Sequence, residues 1–261
     1  MAKRARRRHV QLELPRPPRL DKTGQHRGGA RANAGRKPKG KRAGAPHQMR
    51  PVLDRRHPQH VTVRVAAAIG WLRRLDTYRA VRKALATAKT HDGAFRIVHV
   101  SVQNTHLHLI CEASDRYKLA AGMQGFQISA ARHLNAAISR RRGVKRSGQV
   151  FVDRYHAEEI ASVRQVRNAI AYVVNNWRKH RDDGGRFTLH GGRLDPYASG
   201  LAFTGWREPL PRDIALPPRY EPPPVSEPRT WLLAHGWRRA RPISMLEVPA
   251  SRSRPRSRAA R

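Results

Sequence analysis

Between residues 60 and 180 the apolar positions change period several times, and each change marks an element. In HVTVRV (60–65) Val61, Val63 and Val65 alternate with polar residues, the repeat of a half-buried strand. In DTYRAVRKALATAKTH (76–91) Tyr78, Val81, Leu85 and Ala88 fall at helical spacing. The next stretch reads as two strands, 95–103 and 106–113, joined by Asn104-Thr105. A helix over about 115–141 carries Leu119, Met123, Phe126, Ala130, Leu134 and Ile138 along one side. QVFVDRYHAEEI (149–160) predicts another strand or strand pair. SVRQ (162–165) has the form of a capping box, Ser162 capping and Gln165 reaching back. The helix it opens runs to about His180, with Val163, Val166, Ile170, Val173, Val174 and Trp177 as its apolar stripe. The order strand–helix–strand–strand–helix–strand–helix is an α+β layout, a mainly antiparallel sheet with helices packed against it.

Inside IVHVSVQNTHLHLIC (97–111) two histidines stand one residue apart in an apolar run. A two-residue turn at Asn104-Thr105 pairs Gln103 with His106 and Ser101 with His108. Val98, Val100 and Val102 then share the core face with Leu107, Leu109 and Cys111. His99, Ser101, Gln103, His106, His108 and Ile110 take the other, and the hairpin is expected to be buried on one face only. Two imidazoles about 7 Å apart at their Cα atoms can converge on one metal ion and leave positions for water or substrate. A pair of solvated or hydrogen-bonded histidines fits the same short motif. Cys111 faces the core, which argues against a His/Cys zinc site.

On the last helix Asn168, Tyr172 and Asn176 recur at four-residue steps, a polar line beside the apolar stripe. Tyr172 reads either as a rim residue packed on the sheet or as a nucleophile delivered to a metal. A phenol, with a pKa of about 10, attacks phosphorus poorly unless a metal offsets the developing charge. Asn176, one turn on, is a candidate third oxygen ligand. Tyr155 is the rival nucleophile, with Arg154 beside it suited to a phosphate contact. His156 with Glu158 or Glu159 could extend a metal site or simply be solvated on an edge strand. His60 and His99 are read as supporting or DNA-facing residues, and Arg154, Arg164, Arg167 and Lys179 as candidate DNA contacts.

The charge names a class of partner. Of 261 residues, 54 are Lys or Arg against 18 Asp or Glu, a formal net charge of +36, which fits a polyanion and first of all nucleic acid. Residues 1–56 form a basic arm, with sixteen Lys or Arg and two acids in the first fifty positions. The division continues with a folded domain at 57–182, a domain-leaning extension at 183–206, a proline-rich linker at 207–229, and a short helical segment with a basic tail at 230–261. There is no run of eighteen apolar residues, and no apolar segment follows the basic N-terminus. No membrane and no small-molecule substrate are expected, and the expected place is the cytoplasm, at the nucleoid. The single cysteine, Cys111, leaves no internal disulfide and fits a reducing compartment.

NTHLHLI after a Val-rich strand resembles the His-hydrophobic-His (HUH) signature of single-tyrosine transposases. FVDRYHAEEI with VRQVRNAIAYVVNNWRKH resembles the C-terminal half of the REP-associated tyrosine transposase domain. The resemblance covers roughly 58–182, and DPYASG with TWLLAHGW resembles the extension of a transposase subgroup. It implies a ferredoxin-like fold, with basic disordered termini outside it, and Mg²⁺ or Mn²⁺ held by His106 and His108, with Asn176 as third ligand. It also implies Tyr172 as the nucleophile that cuts single-stranded DNA beside a hairpin through a 5′-phosphotyrosine, in a monomer or homodimer. Trp177 stands where the family often has proline, and the proline usual before the HUH stretch is absent from VQNTH. Neither change removes a proposed catalytic group. The alternatives are a domesticated, inactive descendant that binds DNA or RNA hairpins, and a basic ribosome-associated or RNA-packaging protein.

Overall fold

The computed structural model describes residues 51–90, 93–180, 194–210, 214 and 216–249, all within the compact unit Ala45–Arg261. The arm up to residue 50, residues 181–193 and the tail from 250 lie outside these residues. The elements are β1 (Gln59–Arg64), α1 (Leu75–Thr90), β2 (Phe95–Val102), β3 (His106–Ala113), α2 (Arg116–Arg142), β4 (His156–Glu159), α3 (Val163–His180) and a single turn, α4 (Trp231–Ala234). The sheet has the order β2-β3-β1-β4 and is antiparallel at every pairing. A βαββαβ chain in that order is the ferredoxin-like arrangement.

Local chemistry sets the boundaries. Asp115 caps α2 by accepting from the Tyr117 and Lys118 amides at 2.8 Å, and Gly143 ends it in the left-handed region at φ 71°. The capping box of α3 is closed both ways. Ser162 Oγ accepts from Gln165 N at 3.3 Å, and Gln165 Oε1 accepts from Ser162 N at 3.1 Å.

Helices α1 and α2 cover one face of the sheet. Val61 and Val63 of β1, Leu107 and Leu109 of β3, Val81 and Leu85 of α1, and Met123 and Phe126 of α2 form one buried cluster there. The other face was expected to be open and is not. Helix α3 lies on it, and residues 230–243 pack behind, so that Ile110, Ile170, Val174, Leu233, Trp237 and Ile243 make a second apolar cluster. All of β2 is buried, and so is β3 after His106.

Val98 departs from the expected alternation. The β2–β3 register shifts between Ile97 and His99, which leaves Val98 as the extra residue of a bulge. Ile97 therefore joins the first cluster and Val98 the second. The proline-rich stretch is not a free linker either. Tyr78 Oη donates to Glu221 O at 2.9 Å, Arg82 Nε donates to Pro222 O at 3.0 Å, and Ser226 N donates to Ile97 O at 2.8 Å, so this strap is bonded along α1 and β2. The extension is also fastened: Arg73 forms a buried bidentate pair with Asp195, at 2.7 and 2.8 Å. Among the described residues no helix is long and apolar enough to cross a membrane.

Candidate active site

The two histidines sit on the strand paired with β1, His108 opposite Thr62 and His106 opposite Arg64. Off-core positions of β1 and β3 thus adjoin, and His60 completes a chain of rings. His108 Nδ1 is 3.2 Å from His60 Nε2 and 3.3 Å from Thr62 Oγ1, while His108 Nε2 is 3.0 Å from His106 Nε2. The His60 and His108 rings stack with centroids 5.2 Å apart. Tyr172, from the middle of α3, meets both rings edge-on, at 5.0 Å from His108 and 5.6 Å from His60. A cavity of about 880 Å³ opens here, lined among others by His60, Thr62, Arg64, His108 and Tyr172. Burial pushes the Tyr172 phenol above its ordinary pKa.

The donor set fits a divalent cation in one specific respect. With metal–nitrogen bonds of about 2.1 Å, two ligands at right angles stand about 3 Å apart, the separation of the His106 and His108 Nε2 atoms. Both nitrogens can face a cation only if His108 carries its proton on Nδ1, where His60 Nε2 and Thr62 Oγ1 stand as acceptors. Among the described residues no group of three His, Cys, Asp or Glu side chains is arranged to hold a metal. Asn176 is fully buried, and neither its amide oxygen nor its nitrogen bonds to a described residue, an orphaned pair that calls for a partner.

The other sequence candidates divide. Tyr155 lies in the first apolar cluster, under the opposite face of the sheet from the histidines, and so is not brought together with them. His156 bonds Glu158 at 3.1 Å and Glu159 bonds His57 at 3.1 Å, so these carboxylates are paired within β4 and with the strand's neighbour. His99 is buried against Ser199 and Phe203 and faces no DNA. Arg154 and Arg164 are exposed, and the Lys179 side chain lies outside the described ones. Arg167 is corrected: it is 2% exposed and holds Glu247 bidentately while donating to Arg241 O and Pro242 O, so it fastens the C-terminal segment to α3. The fuller role of His60 and Thr62 was missed. Its signal was HVTVRV itself, whose polar alternates occupy the face of β1 beside His106 and His108.

Residues 71–176 match the model of the family described as transposase, IS200-like. That span contains His106, His108, Tyr172 and Asn176. The chain is also similar to a solved structure described as a REP-associated tyrosine transposase bound to a REP hairpin, at 18% identity and a TM-score of 0.40, over 52% of this chain and 74% of that one. No curated protein matches the chain.

Proposed function

We propose, for a chain whose residues 71–176 match the model of the IS200-like transposase family, that it cuts and rejoins single-stranded DNA at hairpin-flanked sites with Tyr172 as nucleophile. The observation that carries this reading is the Tyr172 ring against His108, whose Nε2 stands 3.0 Å from that of His106. Tyr172 Oη attacks the phosphorus of a phosphodiester and forms the 5′-phosphotyrosine ester. The bond to the 3′ oxygen breaks, the phenolic proton passes to solvent, and the departing oxygen takes a proton from solvent to leave as a 3′-OH. Attack by a 3′-OH on the phosphotyrosine reverses the step, so no nucleotide triphosphate is consumed.

His106 and His108, with the Asn176 amide oxygen as third donor, would hold Mg²⁺ or Mn²⁺, which polarises the phosphate and offsets the charge on the attacking oxygen. The phenol, protonated at neutral pH by its ordinary pKa, is pushed higher still by burial. His60 and Thr62 hold the His108 ring so that Nε2 is presented to the site. The exposed Arg154 and Arg164 are suited to backbone phosphates.

The test uses 5′- and 3′-labelled single-stranded hairpin DNA from the sequence flanking the gene, with manganese or with EDTA, on a denaturing gel. The parent is expected to form a metal-dependent covalent adduct on the 5′-phosphate side, and Tyr172→Phe to form none while binding the DNA as tightly. An adduct of parental yield from Tyr172→Phe would overturn the assignment. Tight binding by the parent with no adduct on any flanking hairpin would move the reading to a descendant that binds without cutting.

A further inference from the structure

A second cavity, of about 650 Å³, opens at the opposite end of the sheet, where β2 begins and β3 ends. Its lining includes Arg55, Arg56, Arg96, Arg229 and Trp231, with Glu112 as the acid among them. Glu112 stands on the same face of β3 as His106 and His108, about 20 Å along the strand from His106.

Two features make this a built site. Glu112 is 5% exposed and fully engaged: it accepts from the backbone amides of Arg229 and Thr230 and from Thr230 Oγ1, with Arg96 at 3.5 Å. The one acid therefore has its oxygens turned to fixed donors, and those same bonds hold the residues directly before Trp231. The cations differ in engagement. Arg56 is paired with Asp54 and Arg96 with Glu112, but the exposed guanidinium groups of Arg55 and Arg229 bond to no described residue. Trp231 remains 49% exposed at the wall, with the Arg239 guanidinium carbon 5.2 Å from its ring centroid.

An indole beside exposed guanidinium groups matches a nucleotide, the base stacking on the ring and the phosphate pairing with arginine. A base in a duplex is already stacked, so the matching form is an unpaired one. We propose that this cavity is a second DNA site, which takes an unpaired nucleotide of the strand whose scissile phosphate reaches Tyr172. The inference rests on the reading of single-stranded DNA as substrate, but not on cleavage. It gives the protein a grip on the strand remote from the cut and independent of the chemistry there.

The test is photocrosslinking of the full chain to a single-stranded oligonucleotide carrying 5-bromodeoxyuridine, at high salt, where binding through the basic termini is screened. Adduct is expected on Trp231. Arg55→Gln with Arg229→Gln, both at exposed positions, should cut its yield severalfold and flatten the slope of log affinity against log salt by about 1.4. Trp231→Ala should weaken binding about fivefold or more, with partial recovery in Trp231→Phe. Adducts confined to other residues, or a parental salt slope in the double variant, would overturn the proposal. Equal displacement by free thymidine monophosphate would overturn it too, by assigning the cavity to a free nucleotide. Tyr172→Phe run in parallel should leave the Trp231 adduct unchanged. If that variant still cleaved, the assignment of Tyr172 as the nucleophile would fall and this site would stand.

Discussion

The two faces of the sheet are made from the same strands and are both buried, yet they are built differently. The face under α1 and α2 is closed by apolar side chains whose spacing is local and periodic. The face under α3 combines a smaller apolar cluster with buried His99, Ser101, His108, Glu112, Arg167 and Asn176. Polar groups taken out of water need partners, and most of these find them in residues far along the chain: Ser199 for His99, Thr230 for Glu112 and Glu247 for Arg167. Asn176 finds none among the described residues. The first face is closed by apolar packing, and the second carries the residues proposed for chemistry, with partners for His99, Glu112 and Arg167 in a cover from later in the chain.

Adjacent residues of β3 separate the two roles. His108→Ala removes a ring from the second face and should lower strand cleavage about a thousandfold or more. In the metal-free protein its melting temperature should stay within a few degrees of the parent, because the core behind it is untouched. Leu109→Ala, one residue on and pointing the other way, should cost about 2–5 kcal/mol of stability and leave the cleavage rate of the folded fraction near the parental value. Calorimetry and the labelled-hairpin assay on both variants measure this. If His108→Ala melted like Leu109→Ala while losing little activity, His108 would be a packing residue and the contrast between the faces would fail.

Arg167 shows where the cover attaches. Arg167→Ala leaves Arg241 O and Pro242 O without their donor, while Glu247, a fifth exposed, keeps Arg241, so the change should cost about 1–3 kcal/mol, and protease cleavage between residues 230 and 249 should rise with it. Unchanged protection of that segment would mean that the apolar contacts of Leu232, Leu233 and Trp237 hold it alone.

The legible part of the molecule follows the same division. Periodicity located β1, β2, β3 and the three long helices because each obeys a local repeat. Strand β4 (HAEE) has none and was legible only as part of a strand or strand pair over 149–160. Ser162 with Gln165 marked the start of α3 by chemistry three residues apart. His106, His108 and Tyr172 stood out because their spacing puts each off its element's apolar stripe, and the structure brings the three together. What stayed hidden depends on distant partners. A two-residue repeat carries no mark of a bulge, so Val98 was placed on the wrong face. Arg167 looked like a surface cation because Glu247, eighty residues later, is visible only in three dimensions. Proline content suggested a linker over 207–229, but it is silent on whether an extended chain lies on a surface. The sheet accepts it there through Ile97 O, a carbonyl at the free edge of β2.

His99 gives the finest test of whether the second face is closed. Its ring packs edge-on against Phe203, its Nδ1 is 3.2 Å from Ser199 Oγ, and that hydroxyl also accepts from Val100 N. Burial alone pulls its pKa down to about 4, from an ordinary value near 6.5. The sign follows from proton binding. Between pH 6.5 and 4 the unfolded chain takes up a proton that the folded chain refuses, so the contribution is fully present above 6.5 and is lost as the pH falls. The whole window amounts to on the order of 3 kcal/mol, of which about 2 kcal/mol should disappear between pH 7 and pH 5. His99→Leu removes the titrating group and should flatten that part of the profile in urea denaturation at the two pH values. The carboxylates held low by their partners, Glu208 and Glu247, act in a more acidic range and leave this window clear. Parent and variant profiles of the same slope would mean that water reaches His99 in the folded state, and that the cover over β2 is looser than its bonds to Ser199 and Tyr197 imply.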